Sequence, residues 1–355
     1  MARPGVDARP ATIDLMPTHT PPAIVFVSTH GTHSREAEAL RRDTRRGLAV
    51  RVHPGAYVTT DDWLRLSARE RQLVRVRAVL AGLPPETVVS HETAVAVHDL
   101  PSVHGAGTRV HVLDPARDRV RTGGRVVRHP GAAEEADVVE VGGIRTTSEA
   151  RTAIDVARAR PFADGVLCAD AVLRRAAARA GCFARRAPIT PATAEAHRAC
   201  VEAAAVVVRH ELESRLERAT GVRGLETARR VVAFASPWPE NGGESLCRVA
   251  LLELGAPAPR IQVEFFDGQG LAGRCDFVFG GSVLEFDGKV KYDHEAVRGG
   301  LAPSAVVKAE KARERRLVRS GHVAHIGRCD ADDVRDRAPL AQILRDIRVP
   351  LRTRR

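Results

Sequence analysis

Lysine is nearly missing from this 355-residue chain. Its 55 basic residues are otherwise all arginine, and the only lysines are Lys289, Lys291, Lys308 and Lys311. Aromatic residues make up 4%, so a core has to be built mainly from aliphatic side chains and alanine. No window holds the ~18 apolar residues of a membrane span, which excludes a helical membrane protein. Six cysteines, at 168, 182, 200, 247, 275 and 329, show no CxxC spacing. That argues against a zinc ribbon or a disulfide framework, and they read as small apolar residues in a reducing cytoplasm. Repeats and a glycine-rich phosphate loop are both lacking. Met1–Pro22 has no signal-peptide anatomy, and residues 1–30 read as a disordered tail. A cytoplasmic location is the expectation.

What the chain does have is positive charge, a net +11. Such a surface attracts an anionic partner, with DNA the first expectation, although arginine-rich coding bias yields the same excess. The length allows two or three domains, with apolar content sufficient for real cores.

The sharpest chemistry lies in Val283–Tyr292, VLEFDGKVKY. As one strand, it lines Leu284, Phe286, Val290 and Tyr292 on one face and Glu285, Asp287, Lys289 and Lys291 on the other. Asp287-Gly288 also fits a hairpin turn. Four lysines in so short a window of a lysine-poor chain favour a specific role, because a compact ammonium meets one oxygen in a way a guanidinium does not. Upstream, CDFVF, Gly280-Gly281 and SVLEF read as a hairpin. Pairing Phe279 with Ser282 sets Phe277 against Leu284, Cys275 against Phe286, and Asp276 against Glu285. Opposed carboxylates repel unless a cation lies between them.

Asp276, Glu285, Asp287 and Lys289 resemble the PD-(D/E)XK nuclease motif, in the version found in very-short-patch-repair-like endonuclease domains of actinobacterial proteins. GESLCRVALLELG and PAPRIQVEF resemble the family's first helix and strand. KAEKARERRL and RSGHVAHI resemble its basic helix and last strand. Cys275 stands where the motif name has proline, and Glu285 and Asp287 compete for one acidic role. The resemblance implies Mg²⁺ (or Mn²⁺) held by Asp276, Glu285 and Asp287, with Lys289 beside the attacked phosphate. Glu244 and Gln262 are further candidates at the site, although Glu244 also suits a first-turn glutamate favoured by the helix dipole. Lys308, Lys311 and Arg313 would hold the DNA backbone, or Arg313 would instead pair with Glu310.

Nearer the start, SREAEALRRDTRRG predicts a basic helix ended by Gly47, and LAVRVHPGAYVTT predicts a hairpin around Pro54-Gly55. GLAVRVHPGAYV resembles the wing of AbiEi-type antitoxin proteins, as does SHETA further on. That resemblance implies a winged helix with Arg41, Arg42, Arg45, Arg46 and Arg51 on DNA phosphates. Asp61–Leu80 reads as helical with Trp63, Leu66, Leu73 and Val76 inward. His91 and His98 do not have HExxH spacing and read as structural. RVHVL, GRVVRHP and ADVVEV read as strands, and the stretch from Ile144 as a helix capped by Thr147 or Ser148. Two alanine-rich helices, Ala163–Ala180 and Ala192–Thr220, follow.

The expected architecture is α/β. A degenerate winged-helix module occupies residues 31–105, a mixed α+β and helical middle region 106–220, a PD-(D/E)XK restriction-endonuclease-like α/β domain 236–340, and a basic tail 341–355. The expected function is metal-dependent DNA endonuclease. The rival is a non-catalytic, antitoxin-like DNA-binding repressor on a nuclease scaffold, and a toxin partner or a homodimer fits either.

Overall fold

The computed structural model describes residues 22–27, 34–103, 107–184, 188–219, 223–288 and 303–352, without the side chains of 303–309. The first 21 residues of the expected tail, and Lys289, Val290, Lys291 and Tyr292, lie outside the described residues. The chain is mixed α/β and divides into two compact units, Met1–Ala159 and Arg160–Arg355.

In the first unit, β1 (Val25–Phe26), β3 (Ala56–Thr59) and β2 (Ala49–His53) form a three-stranded sheet beside α1 (Arg35–Arg45). Val25 pairs with Tyr57, so the end of the expected tail is built into the fold by its β-branched residues. Ser34 caps α1 and Gly47, at φ 74°, follows its end. The β2–β3 hairpin turns through Pro54-Gly55, as predicted. The helical stretch expected over Asp61–Leu80 is made of two helices, α2 (Thr60–Arg65) and α3 (Ala68–Leu80). Ser67 breaks it by forming a reciprocal capping box with Glu70, which satisfies two helix-start donors at once. Beyond come α4 (His91–Val97), β4 (Val110–Asp114), β5 (Arg121–Gly123), β6 (Val126–Pro130), β7 (Val138–Val141), β8 (Ile144–Thr147) and α5 (Glu149–Ala159). Strands β4 and β6 run parallel. Ser148, at the start of α5, accepts from the Arg151 amide.

The second unit starts with α6 (Phe162–Arg179), α7 (Pro191–Arg218) and α8 (Leu225–Phe234). The two alanine-rich helices assigned to the middle region therefore belong to the C-terminal unit, where Ala177 and Val201 enter the same core as Phe277. This packing joins Cys182 to Cys200 in a disulfide with Cα atoms 5.7 Å apart. The expectation of unpaired cysteines fails there because α7 returns alongside α6, a tertiary arrangement that no local spacing encodes.

Next come α9 (Gly242–Glu253), β9 (Arg260–Asp267), β10 (Gly270–Phe279), β11 (Ser282–Asp287), α10 (Pro303–Arg319), β12 (His325–Asp330), α11 (Ala331–Arg335) and α12 (Arg337–Asp346). The sheet order is β12-β11-β10-β9, with β12 parallel to β11 and the other neighbours antiparallel. The hairpin has the expected register, Phe279 to Ser282 and Phe277 to Leu284. Residues 341–355 are not simply a tail: Leu344, Ile347 and Val349 are buried in the core with Phe277 and Leu284. The apolar spacing of α12 outweighs its arginines.

Both faces of this sheet are covered. Ile261, Phe277, Leu284 and Phe286 share one core with Leu251 of α9 and Leu340 of α12. Val263, Cys275, Val278 and Val283 share the other with Leu317 of α10. Residues 261 and 263, two apart on β9, thus reach opposite cores, as do their partners Phe277 and Cys275. A regular strand would send both to one face. The switch occurs at Gln262, whose φ is 51°, a conformation rare for a residue with a Cβ. Cys275 is accordingly not on the face of Phe286, as strict alternation predicted.

Candidate functional site

The kink at Gln262 assembles the acidic residues. Asn241 caps α9 by accepting the Glu244 amide at 3.0 Å. The Glu244 carboxylate turns back, taking the Asn241 side-chain amide at 2.7 Å and the Glu240 backbone N–H at 2.8 Å. Gly243 is required beside it, because a Cβ would lie 2.4 Å from the Phe286 ring. Gln262 Nε2 donates to Glu244 Oε2 at 3.1 Å and to Asp276 Oδ1 at 2.9 Å. Asp276 Oδ2 in turn accepts the Phe286 amide of β11 at 2.9 Å. Arg198 holds the kink from α7 by donating to the Ile261 and Gln262 carbonyls, both at 3.1 Å, while stacking on Trp238.

These acids act on one another. Burial pushes the Glu244 carboxyl up to about 7, and the charge of Asp276 adds to the rise. Glu285 is also raised, first by burial and then by Asp276, with Arg313 opposing. Arg313 Nη2 meets Glu285 Oε1 at 2.9 Å and the Arg274 carbonyl at 2.6 Å, while Nη1 meets Glu310 at 2.9 Å. Its expected role on the DNA backbone is therefore corrected: its guanidinium is turned inward, and the alternative pairing with Glu310 is the one present.

Asp287 lies 3.6 Å from Arg328, which also binds Glu310 and Glu314. Among the described residues, the expected trio Asp276, Glu285 and Asp287 does not converge within 4.8 Å, whereas Glu92, His111 and His129 of the first unit do. Arg313 and Arg328 supply the positive charge that the sequence pattern had suggested for a cation. Lys289 lies outside the described residues, as does the Lys308 side chain, and Lys311 is exposed.

Gln262 Oε1 is buried and without a hydrogen-bond partner. Gln262 presents its Nε2 to the Glu244 and Asp276 carboxylates, so the oxygen donors that a hard cation such as Mg²⁺ selects are here the carboxylates alone. A cleft of about 260 Å³ beside Gln262 is lined by Arg174, Arg198, Arg260 and Arg274 and also by Glu195, Glu240 and Glu264; Glu240 pairs with both Arg174 and Arg274, so the lining is of mixed charge. In the first unit, Arg41, Arg42, Arg45, Arg46 and Arg51 are all exposed, on or next to α1 and β2. His98 is structural, with Nε2 2.6 Å from the Thr147 carbonyl.

His111 and His129 carry no signal in the sequence, although RVHVL and VVRHP contain them. Their spacing becomes informative only once β4 and β6 pair in parallel.

No protein-family model matches the chain. It is similar to two uncharacterized proteins from strains of Mycobacterium tuberculosis, each 26% identical over 281 residues, or 78% of this chain and 88% of the relative.

Proposed function

We propose that the chain is a metal-dependent DNA endonuclease of the PD-(D/E)XK class, with its basic N-terminal helix and hairpin acting as an AbiEi-like winged-helix DNA-binding module. The carrying observation is the Gln262 bridge from Glu244 to Asp276 at a backbone kink. Non-glycine residues at positive φ are strained and collect at functional sites. The element order, helix, three antiparallel strands, helix, then a strand parallel to the third, supports the same reading.

Asp276 and Glu285 would hold Mg²⁺ with Glu244 beside them; like the set with Asp287, these three are not within 4.8 Å of one another among the described residues, so an ion would have to draw them together. The bound ion supplies Lewis-acid polarisation of the phosphate. The remaining work falls to the chain itself. Gln262 orients both carboxylates, and Asp276 ties the site to β11 through the Phe286 amide. Arg313 screens Glu285 until a cation arrives. Lys289 would stabilise charge developing on the phosphate.

The Arg313–Glu285 pair also favours a second reading, in which the fold is a DNA-binding scaffold whose acids are already neutralised. Nicking of plasmid and oligonucleotide DNA by the purified full chain, with Mg²⁺ or Mn²⁺ and a chelator control, separates the two. Chelator-sensitive cleavage that Asp276→Asn removes is the expected result. If duplex, single-stranded and mismatched DNA are all bound but uncut, the scaffold reading replaces the nuclease.

A further inference from the structure

The first unit contains a second cluster of ligand-bearing side chains, on elements unrelated to the acids of the C-terminal sheet. His111 is on β4, His129 on β6, and Glu92 in the first turn of α4. In the parallel ladder, His111 pairs with Val127 and Leu113 with His129. Alternation therefore puts both imidazoles on one face, as diagonal neighbours. His111 Nδ1 lies 2.9 Å from His129 Nε2 and 2.9 Å from Glu92 Oε2. One ligand atom from each of the three residues lies within 4.8 Å of the others.

The number of protons limits what hydrogen bonding does here. An imidazole Nδ1 carries at most one proton, yet this one faces both a second ring nitrogen and a carboxylate oxygen. One cation in the middle would satisfy all three lone pairs together. Ligands about 2.0–2.1 Å from a tetrahedral ion lie about 3.3 Å from one another, so the 2.9 Å separations need to open by only a few tenths of an ångström.

The surroundings are those of a supported site. The His91 ring lies flat on His129, with centroids 3.5 Å apart and 13° between planes, and His91 has φ 49°. Strain of this kind persists where neighbouring structure imposes it, and here it fixes the orientation of His129. Ser90 Oγ is 3.0 Å from His91 Nδ1, and Thr93 Oγ1 accepts the His111 backbone amide at 2.9 Å. These bonds fix His91, which stacks on His129, and the β4 backbone that carries His111. The His111 and Glu92 side chains keep 16% and 23% of their exposure, which leaves a route for an ion.

We propose that His111 Nδ1, His129 Nε2 and Glu92 Oε2 form a binding site for a borderline transition-metal dication, Zn²⁺ first, that ties the start of α4 to β4 and β6. Two imidazoles with one carboxylate suit zinc in preference to magnesium. A fourth position is left for water.

The test is titration of the chelator-treated full chain with Zn²⁺ by calorimetry, and with Co²⁺ by its visible four-coordinate absorption. In excess Mg²⁺, which occupies any site at the acids around Asp276, one Zn²⁺ per chain is expected, with a rise in Tm on its addition. Removing an outer hydrogen-bond partner alone costs about 10–100-fold in metal affinity, so His111→Asn, His129→Asn and Glu92→Gln should each weaken Zn²⁺ binding by about 100-fold or more. Metal-free melts keep folding separate: each variant should melt close to the metal-free parent and lose only the Zn²⁺-induced rise. Asp276→Asn should bind Zn²⁺ at this site as the parent does, so failure of the nuclease reading leaves the result intact. Absence of one-to-one binding in the parent, or equal binding by the parent and the His111→Asn/His129→Asn double variant, would overturn the site.

Discussion

Arg313 reaches Glu285 from α10 at 2.9 Å, so one acid of the expected metal set carries a built-in counter-cation. Glu285 is already raised by burial and by Asp276, with Arg313 opposing. In Arg313→Gln its pKa should therefore rise further. A carboxyl with a raised folded pKa contributes stability at low pH that is lost as pH climbs. The cost of the substitution should thus grow as pH climbs through the Glu285 titration, on top of a constant loss of the bonds to Glu310 and the Arg274 carbonyl, measured by denaturant unfolding. If Glu285 is a ligand, freeing it should also enlarge the Mg²⁺-induced rise in Tm. Equal Mg²⁺ shifts in parent and variant would argue against Glu285 as a ligand.

Glu244 offers a second pH signature. Its carboxyl is raised to about 7 from an ordinary 4.5, so its contribution is fully present below pH 4.5 and is lost through pH 7. Glu244→Gln removes that titration. The stability of the variant relative to the parent should then rise by roughly 3 kcal/mol between pH 4.5 and pH 8, in chelator throughout. A flat difference across this range would mean that Glu244 is ionised throughout. Metal binding by the parent below pH 7 should release a proton from the same group.

Much of this fold was legible because local signals agreed. Gly280-Gly281 between alternating apolar residues set the hairpin register, and Pro54-Gly55 did the same for β2–β3. The site was legible as a set of acids but not as a geometry. The positive φ of Gln262 is imposed by packing and by Arg198, and it sends Cys275 to the core opposite the one expected. Arg313 has the same local sequence whether it faces DNA or Glu285; only the closeness of α10 to β10 and β11 decides. Ser67 could have been read as a cap from Glu70 three residues on. Glu92, His111 and His129 come from three separate segments, and no motif spacing joins them.

The exposed arginines of the first unit should act additively on salt dependence. Each guanidinium–phosphate pair removed should flatten the slope of log K against log salt by about 0.9. Replacing Arg41, Arg42, Arg45, Arg46 and Arg51 by Gln should weaken DNA binding most at low salt and leave cleavage per bound complex unchanged. Binding across a salt series, read by fluorescence anisotropy, measures it. An unaltered slope would assign these side chains to partner binding or solubility.

Lys289 separates an enzyme from a scaffold most directly. A group acting mainly on charge that develops at the phosphate lowers the barrier without tightening ground-state binding. Lys289→Ala should therefore leave DNA affinity and Tm close to the parent while reducing Mg²⁺-dependent cleavage by about 100-fold or more. Lys289→Arg is the more informative change, since it keeps the charge but replaces a compact ammonium with a planar fork. In a chain where arginine replaces lysine almost everywhere else, an arginine that restored cleavage would mean that charge alone matters at this position. Loss of cleavage in both variants, with binding retained, would assign Lys289 a role that depends on the shape of the ammonium. Single-turnover rates on pre-bound duplex, with the chelator control, distinguish these results from altered affinity.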